Sequence, residues 1–138
     1  MSRNISPEVR KSVAIRADFR CEYCLIHEED SYISFQIDHI ISIKHGGGDN
    51  LENLAYSCAP CNRAKGTDIG TVLLPGKEFV RLFNPREDRW KDHLKLLGAE
   101  IIALSAIGKA TIKVLDLNNE LRIAERSALI EIGRYSEL

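Results

Sequence analysis

Helical and extended patterning alternate in short runs along the chain. Val9, Val13, Ala14 and Ala17 recur at helical spacing behind Ser6-Pro7-Glu8, which supplies a cap, a first-position proline and a first-turn acid. Together they predict a helix over residues 7–17. Residues 34–43 are rich in β-branched and aromatic side chains and read as a strand, and residues 54–57 as a short return strand. Between them Gly46-Gly47-Gly48 interrupts regular structure. Residues 60–65 allow a short helix that Gly66 stops. Further on, residues 79–83 read as extended and close at Asn84-Pro85, and residues 93–104 predict a hairpin about Gly98. Ser105 caps a predicted helix to about Leu115. Asn118 caps another, with Leu121, Ala124, Ala128 and Ile132 on its apolar face and Gly133 at its end.

At 138 residues, 44% hydrophobic and 28% charged, the composition is that of one globular domain and excludes disordered, collagenous and low-complexity classes. No run approaches the roughly 18 apolar residues of a membrane span, so no membrane partner is expected. Residues 1–5 lack the apolar core of an export signal, which predicts a reducing, cytoplasmic setting. The 19 basic and 20 acidic residues leave a net charge of −1, and no segment forms a basic block. That argues against nucleic-acid binding driven by bulk positive charge.

Candidate chemistry begins with four cysteines in two C-x-x-C pairs, Cys21/Cys24 and Cys58/Cys61. Disulfides and free thiols are the alternatives, but paired knuckles in a reducing setting suit one Zn²⁺ held by four thiolates at about 2.3 Å. A complete set leaves no position for water, so this zinc is expected to be structural; His27 is a weaker competing ligand. Short zinc spacings leave about 15–20 residues between knuckles. Here residues 25–57 lie between them, so a larger element is stapled at its ends by the metal.

That insert, with its flanks, resembles the HNH endonucleases of the His-Me finger, or ββα-metal, fold. The resemblance rests on Cys21/Cys24, Asp38-His39, Gly46-Gly47-Gly48, Asn53-Leu54, Cys58/Cys61 and Asn62, followed by Lys65, and covers residues 20–66. Asn62 stands where the family name implies a final histidine. The resemblance implies an α+β architecture: a zinc-stapled ββα-metal core, an N-terminal helix, and a mixed strand and helix extension over residues 67–138 packing on the core. It implies a nuclease with His39 as general base, Asp38 and Asn62 as ligands of Mg²⁺ or Mn²⁺, and Asn53 orienting His39 by holding the loop. These roles suit the residue types. Imidazole changes charge near neutral pH, and carboxylate and amide oxygens are the hard donors that Mg²⁺ prefers.

Each assignment has a plainer alternative. Asn53 can be a turn residue, Asn62 a helix-start residue, and Arg20, Arg63 and Lys65 either phosphate contacts or solvated surface. Neighbouring strand residues point to opposite faces, so Asp38 and His39 can both face one site only if the strand bends or bulges. Residues 82–86 (Leu-Phe-Asn-Pro-Arg), Trp90, His93, residues 107–111 and Leu117-Asn118 resemble a tail found on a bacterial subset of HNH proteins. The leading reading is a DNA endonuclease; the other is a non-catalytic zinc-knuckle module that binds nucleic acid or protein. With so balanced a charge, the grip on DNA would rely on a local cluster, the divalent ion, a homodimer or a protein partner.

Overall fold

A computed structural model describes residues 5–137; Met1–Asn4, which carry most of the expected absence of an export signal, and Leu138 lie outside it. The fold is mixed α+β, with five helices and three two-stranded antiparallel sheets among the described residues. Helix α1 (Pro7–Arg16) starts where the Ser6 hydroxyl accepts the Val9 N–H at 3.2 Å, and it buries Val13 and Ala14. Strands β1 (Gln36–His39) and β2 (Leu54–Ser57) pair in register from Gln36 opposite Ser57 to His39 opposite Leu54. Helix α2 (Ala59–Lys65) follows the second knuckle and ends at Gly66, whose φ of 53° suits glycine.

Strand β1 is shorter than residues 34–43 because a side chain replaces the ladder. The Ile40 N–H still bonds the Asn53 carbonyl, but the Ile41 N–H and C=O both go to the Asn53 amide, so pairing ends. The remaining elements form the extension. Strands β3 (Gly70–Leu73) and β4 (Glu78–Arg81) make a hairpin, helix α3 is Trp90–His93, and β5 (Leu94–Leu97) and β6 (Glu100–Ala103) form the hairpin expected about Gly98. Helices α4 (Ala106–Leu115) and α5 (Glu120–Glu131) close the chain. Ser105 caps α4 as expected, accepting from the Gly108 N–H at 3.0 Å. Gly108 lets α4 approach the end of α3, since a Cβ there would stand 2.1 Å from the His93 carbonyl oxygen.

Two features of α5 differ from the pattern reading. Asn119, not Asn118, is the cap, accepting from the Leu121 N–H at 2.9 Å; the Asn118 amide instead bonds both backbone groups of Ile101. The stripe of Leu121, Ala124, Ala128 and Ile132 faces outward, with Leu121 81% exposed. The inward face carries Arg126, only 3% exposed, whose guanidinium donates to the carbonyls of Ala99 and Leu117 and to Asn118 Oδ1. Those bonds satisfy the buried charge that an apolar residue would not bring.

One buried cluster runs from Val13 through Tyr23, Phe35 and Leu54 to Leu94, Ile101, Leu115 and Leu117, so core and extension share it. Polar ties reinforce the seam. Trp90 Nε1 donates to the Tyr23 carbonyl at 2.9 Å, the Tyr135 hydroxyl donates to the Cys24 carbonyl, and Arg86 pairs with Glu22. No helix among the described residues is long and apolar enough to cross a membrane.

Candidate functional site

The four cysteines converge from the two knuckles, all buried, their Sγ atoms within 4.8 Å of one another, with Cys24 and Cys58 sulfurs 3.6 Å apart. Four sulfurs about 2.3 Å from a common ion would stand about 3.8 Å apart in a tetrahedron, so the donor set fits Zn²⁺. Packing sets the four thiols apart from one another in acidity. Hydrogen bonds led by that from Cys21 hold Cys24 well below the usual thiol range. Hydrogen bonding with Cys21 and Cys24 pushes Cys58 up, and burial does most to push Cys61 up. Packed sulfurs cannot all ionise without positive charge among them. His27 is not part of the cluster: its Nδ1 accepts from the Glu29 N–H at 3.1 Å.

The end of β1 borders a cleft of about 550 Å³ that Asp38, His39, Ser42, Lys44, Asn62 and Thr67 help to line. Strand β1 stays regularly paired through His39, so the bend or bulge that Asp38 and His39 would need in order to face one site is not within the strand. The two side chains part instead. Asp38 is buried and accepts from the Tyr23 hydroxyl at 2.6 Å and from Lys65 Nζ at 3.2 Å. Burial pushes its carboxyl up, while the Lys65 ammonium and the Tyr23 hydroxyl pull the other way. A carboxylate offers about four acceptor positions, so these two donors leave acceptor capacity on Asp38.

His39 is positioned from the other side. Its Nε2 lies 2.8 Å from Asp49 Oδ1, across the glycine loop. An ionised carboxylate only accepts, so in a neutral imidazole paired with ionised Asp49 it is Nε2 that donates and Nδ1 that keeps the lone pair. Asn53 fixes that loop with three side-chain bonds: its Oδ1 accepts from the Ile41 N–H at 2.8 Å, and its Nδ2 donates to the carbonyls of Ile41 and Gly48, each at 2.9 Å. Gly47 is required by close approach, since a Cβ there would stand 1.7 Å from the Ile41 oxygen.

The basic candidates separate. Arg63 is exposed on α2. Arg20 is half-buried and donates to the carbonyls of Leu25 and Ser136, which makes it a tie between knuckle and tail. Lys65 is 2% exposed and its ammonium bonds Asp38 and the carbonyls of His39 and Ile40. It is therefore not a phosphate contact: only internal oxygens satisfy so deeply buried a charge. Sequence reasoning missed Tyr23, Asp49 and Lys44. Tyr23 lies inside the first knuckle and Asp49 directly after the glycines, but neither motif demands a residue of that kind.

Residues 21–68, roughly a third of the chain, match the family model for the HNH endonuclease, and that match implies a nuclease-type function. Searches of curated proteins and of solved structures each gave no match. The matched stretch contains both knuckles, the Asp38-His39 strand end, the Asn53-held loop and Asn62, so residues 21–68 match the HNH endonuclease model and carry a four-cysteine cluster consistent with its zinc subtype.

Proposed function

We propose that the protein is a metal-dependent endonuclease that hydrolyses DNA phosphodiester bonds in the cleft at the end of β1. The observation that supports this most directly is a cleft bordered by Asp38, His39 and Asn62, with Nε2 of His39 held by Asp49. In this reading Nδ1 of His39 takes a proton from the attacking water, and Asp49 stabilises the imidazolium that results. The Asp38 carboxylate and the Asn62 amide oxygen would hold Mg²⁺ or Mn²⁺, which when bound supplies positive charge to the developing charge on the leaving 3′-oxygen. Lys65 and Tyr23 hold Asp38 in place; Asn53 holds the loop and touches no reacting atom. The products would be 5′-phosphate and 3′-hydroxyl ends. The four-cysteine centre plays no part in the chemistry and staples the unit.

Lys44 at the cleft edge and Arg63 on α2 are exposed cations available to the phosphate backbone. With a net charge of −1 they make a weak electrostatic footprint, so the isolated protein is expected to bind duplex DNA weakly. Sub-micromolar duplex affinity at physiological salt would contradict this. The deciding experiment incubates zinc-loaded protein with supercoiled and linear DNA, with and without Mg²⁺ or Mn²⁺, beside His39→Ala. Cleavage that requires the divalent ion and is lost in His39→Ala supports the reading. Identical behaviour of the two proteins, or indifference to EDTA, rejects it in favour of a binding module.

A further inference from the structure

We infer that Arg122 on α5 is an outer-sphere partner of the four-cysteine centre, making the C-terminal helix part of the metal site rather than a wrapping around it. Its Nη2 lies 2.9 Å from Cys61 Sγ and 3.9 Å from Cys58 Sγ. The same guanidinium is held from behind by Nη1, which donates to the Leu115 carbonyl at 2.8 Å and the Asp116 carbonyl at 3.4 Å, where α4 ends. With one amino group fixed on those oxygens, the planar fork aims the other at the sulfurs. Leu115 is fully buried, so the anchoring end of α4 is set by the core.

The charge of the centre gives the contact its purpose. Four thiolates around one divalent ion carry two negative charges in excess, and burying them away from water is unfavourable without nearby donors. A guanidinium donating to the knuckle sulfurs offsets part of that excess and draws electron density from the thiolates. Groups of this kind commonly change metal affinity by about tenfold to a hundredfold. The inference rests on the four cysteines holding a metal, and not on the nuclease reading.

The test compares the full-length protein with Arg122→Met, which keeps an unbranched stem and removes charge and donors, and with Asn119→Ala, which removes the cap of the same helix. Zinc affinity is read by competition with a chromophoric chelator, and Co²⁺-loaded protein gives the sulfur-to-metal absorption band. Arg122→Met is expected to hold zinc about tenfold or more less tightly and to shift the Co²⁺ band to longer wavelength, as sulfurs freed of N–H donors give up charge more readily. Asn119→Ala should leave both unchanged.

Unaltered affinity and band in Arg122→Met would overturn the inference, as would an equal loosening in Asn119→Ala, which would assign the effect to the helix. Should Arg122→Met fail to fold in excess zinc, Arg122→Lys decides. It keeps the charge but loses the fork, so weaker zinc binding with a shifted band supports the inference and wild-type values overturn it. A wild-type protein that gives no thiolate band with Co²⁺ would also overturn the inference, by removing the metal centre on which it rests.

Discussion

The imidazole of His39 and the carboxylate of Asp49 meet at 2.8 Å across the glycine loop, ten residues apart in sequence. His39 sits at the end of a paired strand and Asp49 in an irregular segment, so the geometry of the pair is set by whatever holds that segment. Asn53 does so, binding Ile41 on one side and Gly48 on the other. The pair thus links a strand end, a loop and one amide.

Replacing Asp49 with Asn tests the pair. An amide can accept or donate, so it no longer fixes the proton on Nε2 and cannot balance a charged imidazolium. On the proposed mechanism, Asp49→Asn is expected to lower kcat about tenfold or more while zinc content and thermal stability stay near wild type. Steady-state kinetics on plasmid DNA, with zinc content and Tm measured on the same samples, check it. A kcat equal to wild type would remove Asp49 from the mechanism.

Gly47→Ala tests the loop itself. The added Cβ would meet the Ile41 oxygen at 1.7 Å and Asn53 Nδ2 at 2.7 Å, and the former is backbone that cannot swing aside. Loop and strand end must separate. Such overpacking costs about 1–3 kcal/mol, and displacing His39 by about 1 Å can cost a hundredfold in rate. Denaturation and cleavage assays should show the rate falling well beyond what the folded fraction accounts for.

What the sequence made legible was chemistry fixed by spacing. The two C-x-x-C pairs came together as expected because metal ligation constrains which residues can meet, whatever the intervening chain does. Ser6, Ser105 and Gly66 stand at the helix ends their residue types favour. What stayed hidden was tertiary. The stop of β1 at His39 depends on an amide twelve residues beyond Ile41. On α5 the stripe of Leu121, Ala124, Ala128 and Ile132 faces solvent while Arg122 and Arg126 point inward, because their partners are main-chain carbonyls at and beyond the end of α4 and a knuckle sulfur. Hydrophobic periodicity cannot register a buried arginine whose ligands are backbone oxygens. Residues 79–83 read as extended and form most of β4, but its partner β3 escaped for a related reason: residues 70–73 carry no alternating burial, and Lys113 of α4 reaches the Val72 carbonyl.

Lys65 gives a third prediction, on stability. Its ammonium holds Asp38 and two main-chain carbonyls within a site where both partners are almost fully buried. Removing one partner of a buried pair costs about 3–5 kcal/mol, because the other charge is left uncompensated. Lys65→Met is expected to fall in that range by urea denaturation, and Lys65→Met combined with Asp38→Asn should cost less than the two single changes added together. A surface-like effect, below about 0.5 kcal/mol, would mean that the lysine is not buried against Asp38.

A fourth prediction concerns acid. Asp88 accepts both arms of the Arg81 guanidinium, at 2.8 and 2.9 Å, and the Asn84 N–H at 2.8 Å; the Arg81 hydrogen bonds, chiefly, hold its carboxyl below the usual range. A carboxyl depressed in the folded state stabilises the fold fully above its unfolded pKa, about 3.9, and loses that contribution as pH falls through the lower folded value. Asp88→Asn should therefore be less stable than wild type at pH 6–7. The difference should persist to about pH 5 and shrink steadily below about pH 4, as the wild-type carboxyl takes up its proton. Thermal unfolding of both proteins across that range checks the sign. A gap that stays constant down to pH 2, or widens in acid, would show that Asp88 contributes by packing or neutral hydrogen bonding and not by the charge that ties β4 to the Asn84 turn.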